Sequence, residues 1–316
     1  MNRLTVAVLS GGVSAEREIS LKSGAGVMAA LDKDRYQVRR YDPATDLEQL
    51  IKDKDQIDVA LIILHGRFGE DGTIQGFLDL LGIPYQSSGV LGCAAAMNKL
   101  MAKNIYRQAG LPVAPDLALS IHTAYDLDEI IDTLGLPVVV KPVQEGSSIG
   151  IGIPDSREEL GRAIETAFSH DSCVLVERYI KGREITGSVL GLKDLRPMPL
   201  IEIIPCDTYR FFDYEAKYKV GASREICPAP LDPDLAELAQ SLAVRAHLAL
   251  CCQVYSRTDM MMEDGQIYVL ETNTIPGMTE TSLFPQAAQA AGLSFPMLLD
   301  VLIRLALEKP GTGQPH

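Results

Sequence analysis

Residues 58–64, DVALIIL, constrain the fold more than any other stretch. Six consecutive apolar side chains lie between Asp58 and a His65-Gly66 pair. Strand side chains alternate between faces, so an unbroken apolar run of this length must be covered on both. Such strands belong to parallel sheets with helices above and below. The neighbouring sequence agrees: LTVAVLS (4–10) reads as another buried strand, 14–31 as a helix and YQVRRYD (36–42) as a strand. DVALIIL is followed by the helix TIQGFLDLLG and the short extended segment IPYQSS. An N-terminal parallel α/β unit is expected.

The chain, at 316 residues, exceeds what one core supports, so two or three domains follow. A net charge of -13 repels phosphate backbones and anionic lipid, which argues against nucleic-acid and membrane partners. No apolar stretch approaches the ~18 residues of a membrane span. The N-terminal MNRLTVAVLSGG runs directly into a glycine turn and reads as a first strand rather than a signal peptide. Six cysteines without CxxC or paired spacing suit a reducing, cytoplasmic compartment.

Beyond the first third, a helix is expected from about Cys93 to Ala109, closed by GLPVAP. A compact unit follows: strand ALSIHT, helix AYDLDEIIDTLG, strand LPVVVKP, a glycine-serine loop, strand IGIGIP, helix SREELGRAIETAFS and strand CVLVERYI. The last part holds EITGSVLG and PMPLIEIIP, an aperiodic segment from Cys206 to about Pro233, and a helix over 233–250. A hairpin, SRTDMMM-EDG-QIYVLETN, and a helix over 295–308 complete it, and PGTGQPH reads as a frayed tail.

The hairpin carries the chemistry. An apolar strand runs straight into Glu271 and Asn273, and Asp259 and Arg257 lie on the opposite arm. A three-residue Glu263-Asp264-Gly265 loop would turn all four to one face, with Glu271 diagonal to Asp259. A two-residue Asp264-Gly265 turn would set the carboxylates on opposite faces. Inward carboxylates need a cation, and all-oxygen donors suit Mg²⁺ shared with phosphates. The competing reading is an exposed acidic strand end with Arg257 as its ion-pair partner.

Lys141 ends a strand beside the loop QEGSSIG, which suits a phosphate clamp or, equally, a solvated surface lysine. No GxxxxGK[ST] or GxGxxG is present. Two other glycine loops, SGGVSAEREIS and LHGRFGEDGTIQG, stand at the carboxyl ends of predicted strands, where open parallel sheets bind ligands. In the first, Glu16 reads either as a helix-dipole contact or as the receptor for an ammonium group. In the second, His65 reads as a substrate contact or a packed strand-end histidine. Five aromatic residues between Tyr209 and Tyr218 mark the aperiodic segment as a water-excluding lid.

Together the motifs SGGVSAEREISLKSG, HGRFGEDGTIQGFLDLLGIPYQSSG, MNK (97–99), KPVQEGSSIGI, VERYIKGREIT, FFDYEAKY, YSRTDMMM and LETNTIPGMTETSLFP resemble, in order and from about residue 4 to 305, the D-alanine:D-alanine ligase family of the ATP-grasp superfamily. The resemblance implies an α/β, or more finely α+β ATP-grasp, chain: a substrate-binding domain over 1–97, a central subdomain over 98–184, and a C-terminal subdomain with metal site and lid over 185–316. It implies an ATP-dependent enzyme that joins two D-alanines through an acyl phosphate, in the cytoplasm, for peptidoglycan and cell-wall synthesis. Lys99 and Lys141 would hold phosphates, and Glu177, Arg178, Ile180 and Glu184 would surround the adenosine, with Arg178 where the family often has lysine. Asp259, Glu271 and Asn273 would carry two Mg²⁺, with Mn²⁺ as a substitute.

On the substrate side the resemblance assigns Glu16 to the first D-alanine's ammonium, with Ser147 and Tyr218 completing a hydrogen-bonded set. Lys217 and Ser282 would meet the second substrate's carboxylate or the transferred phosphate, and Arg257 and the Gly277 N–H the tetrahedral oxyanion. His65 joins the substrate contacts. A homodimer is implied by the resemblance alone. Where the family commonly reads GCxGYSRVDF, this chain has Val254 and Met260, which changes packing beneath the metal positions. Tyr218 in DYEAKY favours an amine as the attacking group. The alternatives are a D-alanine:D-lactate ligase, another ATP-grasp carboxylate-amine ligase, and a non-catalytic nucleotide-binding module.

Overall fold

A computed structural model describes residues 3–144, 146, 149–206 and 223–309. In chain order the elements are β1 (Leu4–Ser10), α1 (Arg17–Ala30), β2 (Tyr36–Tyr41), α2 (Leu47–Asp53), β3 (Val59–Ile63), α3 (Thr73–Leu81), α4 (Val90–Met97), α5 (Lys99–Gln108), β4 (Asp116–Ser120) and α6 (Leu127–Leu134). Next come β5 (Val138–Pro142), α7 (Arg157–Phe168), β6 (Cys173–Arg178), β7 (Arg183–Gly191), β8 (Arg196–Pro197), β9 (Ile201–Pro205), β10 (Ser223–Ile226) and α8 (Pro233–Ala249). The chain closes with β11 (Val254–Glu263), β12 (Gln266–Asn273), α9 (Leu283–Ala290) and α10 (Phe295–Glu308).

The first sheet, in the order β2-β1-β3, is parallel throughout. Alternation along β3 explains its apolar run. Val59, Leu61 and Ile63 pack with Val27 of α1 and with Leu298 and Leu302 of α10, while Ala60 and Ile62 pack against Leu50, Ile74 and Leu78. Helices from both ends of the chain thus cover one sheet.

The other two sheets are antiparallel. The order β4-β6-β5 forms a small central sheet, and β10-β9-β7-β11-β12 a larger one, with β8 beside β7. Each buries one apolar face against helices, and the large sheet's other face is apolar at one end, where Leu190, Ile201, Ile203 and Tyr255 join the core of the first sheet. Val138, Val140, Val174 and Val176 bury against α6 and α7, whereas Ile185, Val189, Met260 and Val269 bury against α8. Their remaining faces carry the charged residues and border a shared cavity.

Some expectations need correction. The helix over 93–109 is two helices, because Asn98 leaves helical geometry and caps α5, accepting a hydrogen bond from the Met101 N–H at 2.9 Å. IGIGIP is no full strand: Gly152 alone bridges Val140. α2 and α9 were not anticipated, being only seven and eight residues long. The lid aromatics and the PGTGQPH tail lie outside the described residues.

Candidate active site

The β11–β12 hairpin departs from the expected loop. Asp264 and Gly265 both have positive φ, 49° and 80°, the two-residue turn that Asp-Gly favours. Glu263 therefore pairs with Gln266. A uniform ladder from that turn would set Leu270 opposite Asp259, yet the register shifts between Asp259 and Met260 and brings Glu271 directly opposite Asp259. Leu270 is the bulged residue, and Leu270 and Glu271 in succession both line the cavity. Arg257 is paired with Asn273 in the same ladder.

Asp259 is 7% exposed and heavily partnered. Arg257 donates to both of its oxygens at 2.8 and 2.7 Å, Thr186 donates at 2.7 Å and Asn273 at 3.1 Å. The ion pair anticipated for an exposed strand end is therefore present, but at a buried carboxylate. Lys99 Nζ lies 4.0 Å from Glu271 Oε2 across the cavity.

That cavity has a volume of about 650 Å³ and lies between the charged faces of the two antiparallel sheets. Lys99 and Lys141 line it together with Glu177, Ile180, Glu184, Asp259 and Glu271. Arg178 also borders it, while its guanidinium donates to Glu263 at 3.0 Å and to Tyr268 Oη at 3.1 Å and lies over the Tyr268 ring. Glu177 is buried, and its carboxylate is shared between the ammonium groups of Lys103 and Lys141. Burial alone would raise its pKa, but Lys141 and Lys103 outweigh burial and the net shift is downward. Lys103 is pushed down to about 8 by burial, against the pull of Glu177.

The second cluster faces the first sheet. Gly11 and Gly12 take positive φ, and the Asp42 carboxylate holds the turn, accepting from Gly12 N–H at 2.9 Å and from Arg17 at 2.6 Å. Gly11 admits no side chain, since a Cβ there would fall 2.5 Å from Asp42 Oδ2. This turn presents Glu16, buried to 5% exposure, with Oε2 against Gly66 and Gly146. His65 follows β3, Nδ1 3.8 Å from Glu70, and its Nε2 is buried with no hydrogen-bond partner among the described residues. Burial opposes protonation of His65, yet Glu70 and Glu16 raise its pKa on balance.

Ser282 stands at the start of α9, where its hydroxyl meets Thr279 Oγ1 at 2.7 Å and accepts from Thr279 N–H at 3.1 Å. Gly277 lies against it, a Cβ there falling 3.1 Å from Ser282 Oγ. Ser147, Lys217 and Tyr218 lie outside the described residues. Sequence reasoning passed over Lys103, Thr186 and the Arg183–Glu202 ion pair that borders the cavity at 2.6 Å. For Lys103 a signal existed: it lies four residues after Lys99, on the same helix face.

This geometry can be set against known proteins. Residues 105–304 match the family described as D-ala D-ala ligase C-terminus, and 41–88 the one described as D-ala D-ala ligase N-terminus. The chain belongs to the D-ala D-ala ligase family. It is 62% identical over 306 residues to a D-alanine–D-alanine ligase of Syntrophobacter fumaroxidans, covering 97% of this chain and 98% of the relative. A D-alanine–D-alanine ligase of Desulfotalea psychrophila is 56% identical over 97% and 96% of the two chains. Among solved structures, D-alanine–D-alanine ligase from Bacillus anthracis complexed with ATP aligns with a TM-score of 0.85 at 37% identity, over 96% of this chain and 98% of that one. The VanG D-Ala:D-Ser ligase from Enterococcus faecalis aligns with a TM-score of 0.83 at 31% identity, over 96% and 100%. The fold is therefore α/β, with the parallel N-terminal sheet and paired antiparallel sheets of these ligases.

Proposed function

We propose that this protein joins two D-alanines into D-alanyl-D-alanine, forming ADP and phosphate from ATP, to supply a peptidoglycan precursor. The observation that carries the reading is the Asp259–Glu271 pair facing Lys99 and Lys141 across one cavity. A carboxylate is a poor electrophile, so one oxygen of the first D-alanine attacks the γ-phosphorus, and ADP departs, leaving an acyl phosphate. The second D-alanine's neutral amine attacks the acyl carbon, the C–O bond to phosphate breaks, and the proton lost from nitrogen passes to the departing phosphate or to solvent. Lys99 and Lys141 balance phosphate charge during transfer, and ordered binding of both amino acids lowers the entropic barrier.

Glu16 is proposed to receive the first ammonium, with Ser147 and Tyr218 closing the set and His65 at its edge. Lys217 and Ser282 take the second substrate's carboxylate or the transferred phosphate, and Arg257 and the Gly277 N–H the oxyanion. Around the adenosine stand Glu177, Arg178, Ile180 and Glu184.

Asp259, Glu271 and Asn273 fit Mg²⁺, or Mn²⁺ in its place, because every donor is a hard oxygen. Among the described residues no three His, Cys, Asp or Glu gather into a metal site alone, so phosphate oxygens and water would complete the coordination of two ions. The metal would supply charge neutralisation at the phosphates.

The proposed units are 1–97, 98–184 and 185–316, one sheet to each, although β7 of the large sheet already begins at Arg183. Among the described residues no single helix is long and apolar enough to cross a membrane. The proposed site of action is the cytoplasm. The proposed assembly is a homodimer, which light scattering would test. The deciding experiment offers D-alanine, D-serine and D-lactate singly and in pairs with D-alanine, and follows ADP release and product mass. D-Alanyl-D-alanine as main product is expected. Failure to form ADP with D-alanine and Mg²⁺ would leave only a nucleotide-binding role, whereas a depsipeptide would move the chain to the D-lactate reading.

A further inference from the structure

Lys103 takes no part in the reaction just described, yet its ammonium lies at the centre of a buried charge cluster. The residue is 1% exposed. Asp116 and Glu177 are direct cross-strand partners on β4 and β6, an arrangement that sets two carboxylates side by side in the interior. The Lys103 ammonium contacts both, reaching Asp116 at 3.1 Å, and donates to the Ala114 carbonyl at 2.9 Å. Arg107, one turn further along α5, also meets Asp116, and Lys141 meets the second oxygen of Glu177.

We infer that Lys103 is a positioning residue that keeps the Lys141 ammonium available to the phosphates of a nucleotide. The inference rests on the nucleotide reading of the cavity and deepens it. The cluster holds three cations, Lys103, Arg107 and Lys141, against two carboxylates, so one positive charge is in excess. Of the three cations only Lys141 lines the cavity. By occupying one oxygen of Glu177, Lys103 divides that carboxylate's charge and leaves Lys141 with part of its own for an incoming anion. Without Lys103 the cluster is neutral, and Glu177 binds Lys141 alone.

Calorimetry of the full chain with ADP and with a non-hydrolysable ATP analogue, plus Mg²⁺, tests this. Wild type that binds neither nucleotide would sink the reading of the cavity itself, a failure separate from those of the variants. Given wild-type binding, Lys103→Met is expected to weaken it at least about tenfold with little change in the KM for D-alanine. Glu177→Gln alone measures what loss of that carboxylate costs the adenosine side; in this background, where no charge is left on Glu177 to divide, adding Lys103→Met is expected to weaken binding little further. Unchanged affinity in Lys103→Met overturns the inference. So does a Lys103→Met loss as large in the Glu177→Gln background as in wild type, since a purely structural lysine would behave that way. Should Lys103→Met fail to fold, comparison of the folded paired variant with Glu177→Gln alone decides, a tenfold or greater further loss overturning the inference.

Discussion

Glu271 faces Asp259 directly across the β11–β12 hairpin, although the turn joining their strands holds only two residues. The bulge at Leu270 reconciles the two facts and places both carboxylates toward the same cavity. Two acids confined there repel each other unless cations lie nearby, and the arrangement surrounds them with Arg257 and Lys99.

Replacing Glu271 by Gln keeps the shape of this corner and removes one charge. ADP formation with D-alanine is expected to fall by about two orders of magnitude or more. The unfolding midpoint should change little, because Glu271 is part-exposed. A variant with near-normal turnover would contradict the placement of the phosphates here.

Asp42 is the residue that fixes the Gly11–Gly12 turn and, through it, Glu16. Asp42→Asn weakens the Arg17 pair and the bonds from Gly12 and Ala44, at a cost of about 1–3 kcal/mol in urea unfolding. The KM for D-alanine should rise while nucleotide affinity holds. If nucleotide affinity falls equally, the turn is not specific to the amino-acid site.

His65 gives a pH test. Its folded pKa lies above the ordinary value near ~6.5, so its contribution to stability is complete below that value and is lost as pH rises through the higher folded pKa. His65→Gln should therefore flatten the decline of stability expected as pH rises above about 6.5. Unfolding curves at several pH values read this directly, and parallel wild-type and variant profiles would refute it.

How far was all this readable beforehand? The first sheet was legible because β1 and β3 are buried on both faces, a pattern that few architectures accommodate. The acidic hairpin was legible in composition, but its register was not: the sequence offers an Asp-Gly pair for the turn and nothing that marks Leu270 as a bulge. Lys103 escaped because a lysine between Ala102 and Asn104 on a helix looks solvated until Asp116 and Glu177 are known to be cross-strand neighbours. The break at Asn98 was hidden for a different reason, since one capping hydrogen bond decides it.

Gly182 sets the distance between the β6–β7 connection and the hairpin. A Cβ at this position would fall 1.8 Å from the Met262 carbonyl oxygen, which the backbone cannot accommodate without moving. Gly182→Ala is expected to cost about 1–3 kcal/mol or more and to weaken nucleotide binding, since Gly182 also borders the cavity. Thermal unfolding and calorimetry check the two effects, and an unperturbed variant would show that the strands can separate freely.

An odd number of residues lies between Asp259 and Glu271, whereas a regular antiparallel pair closed by a two-residue tip encloses an even number. One residue must therefore drop out of the pairing, and here it does so beside the cavity rather than at the tip. Parity, not length, governs which way the two acids point. Residues can accordingly be added at the tip in matched pairs, for labelling or lattice engineering, without turning either acid away.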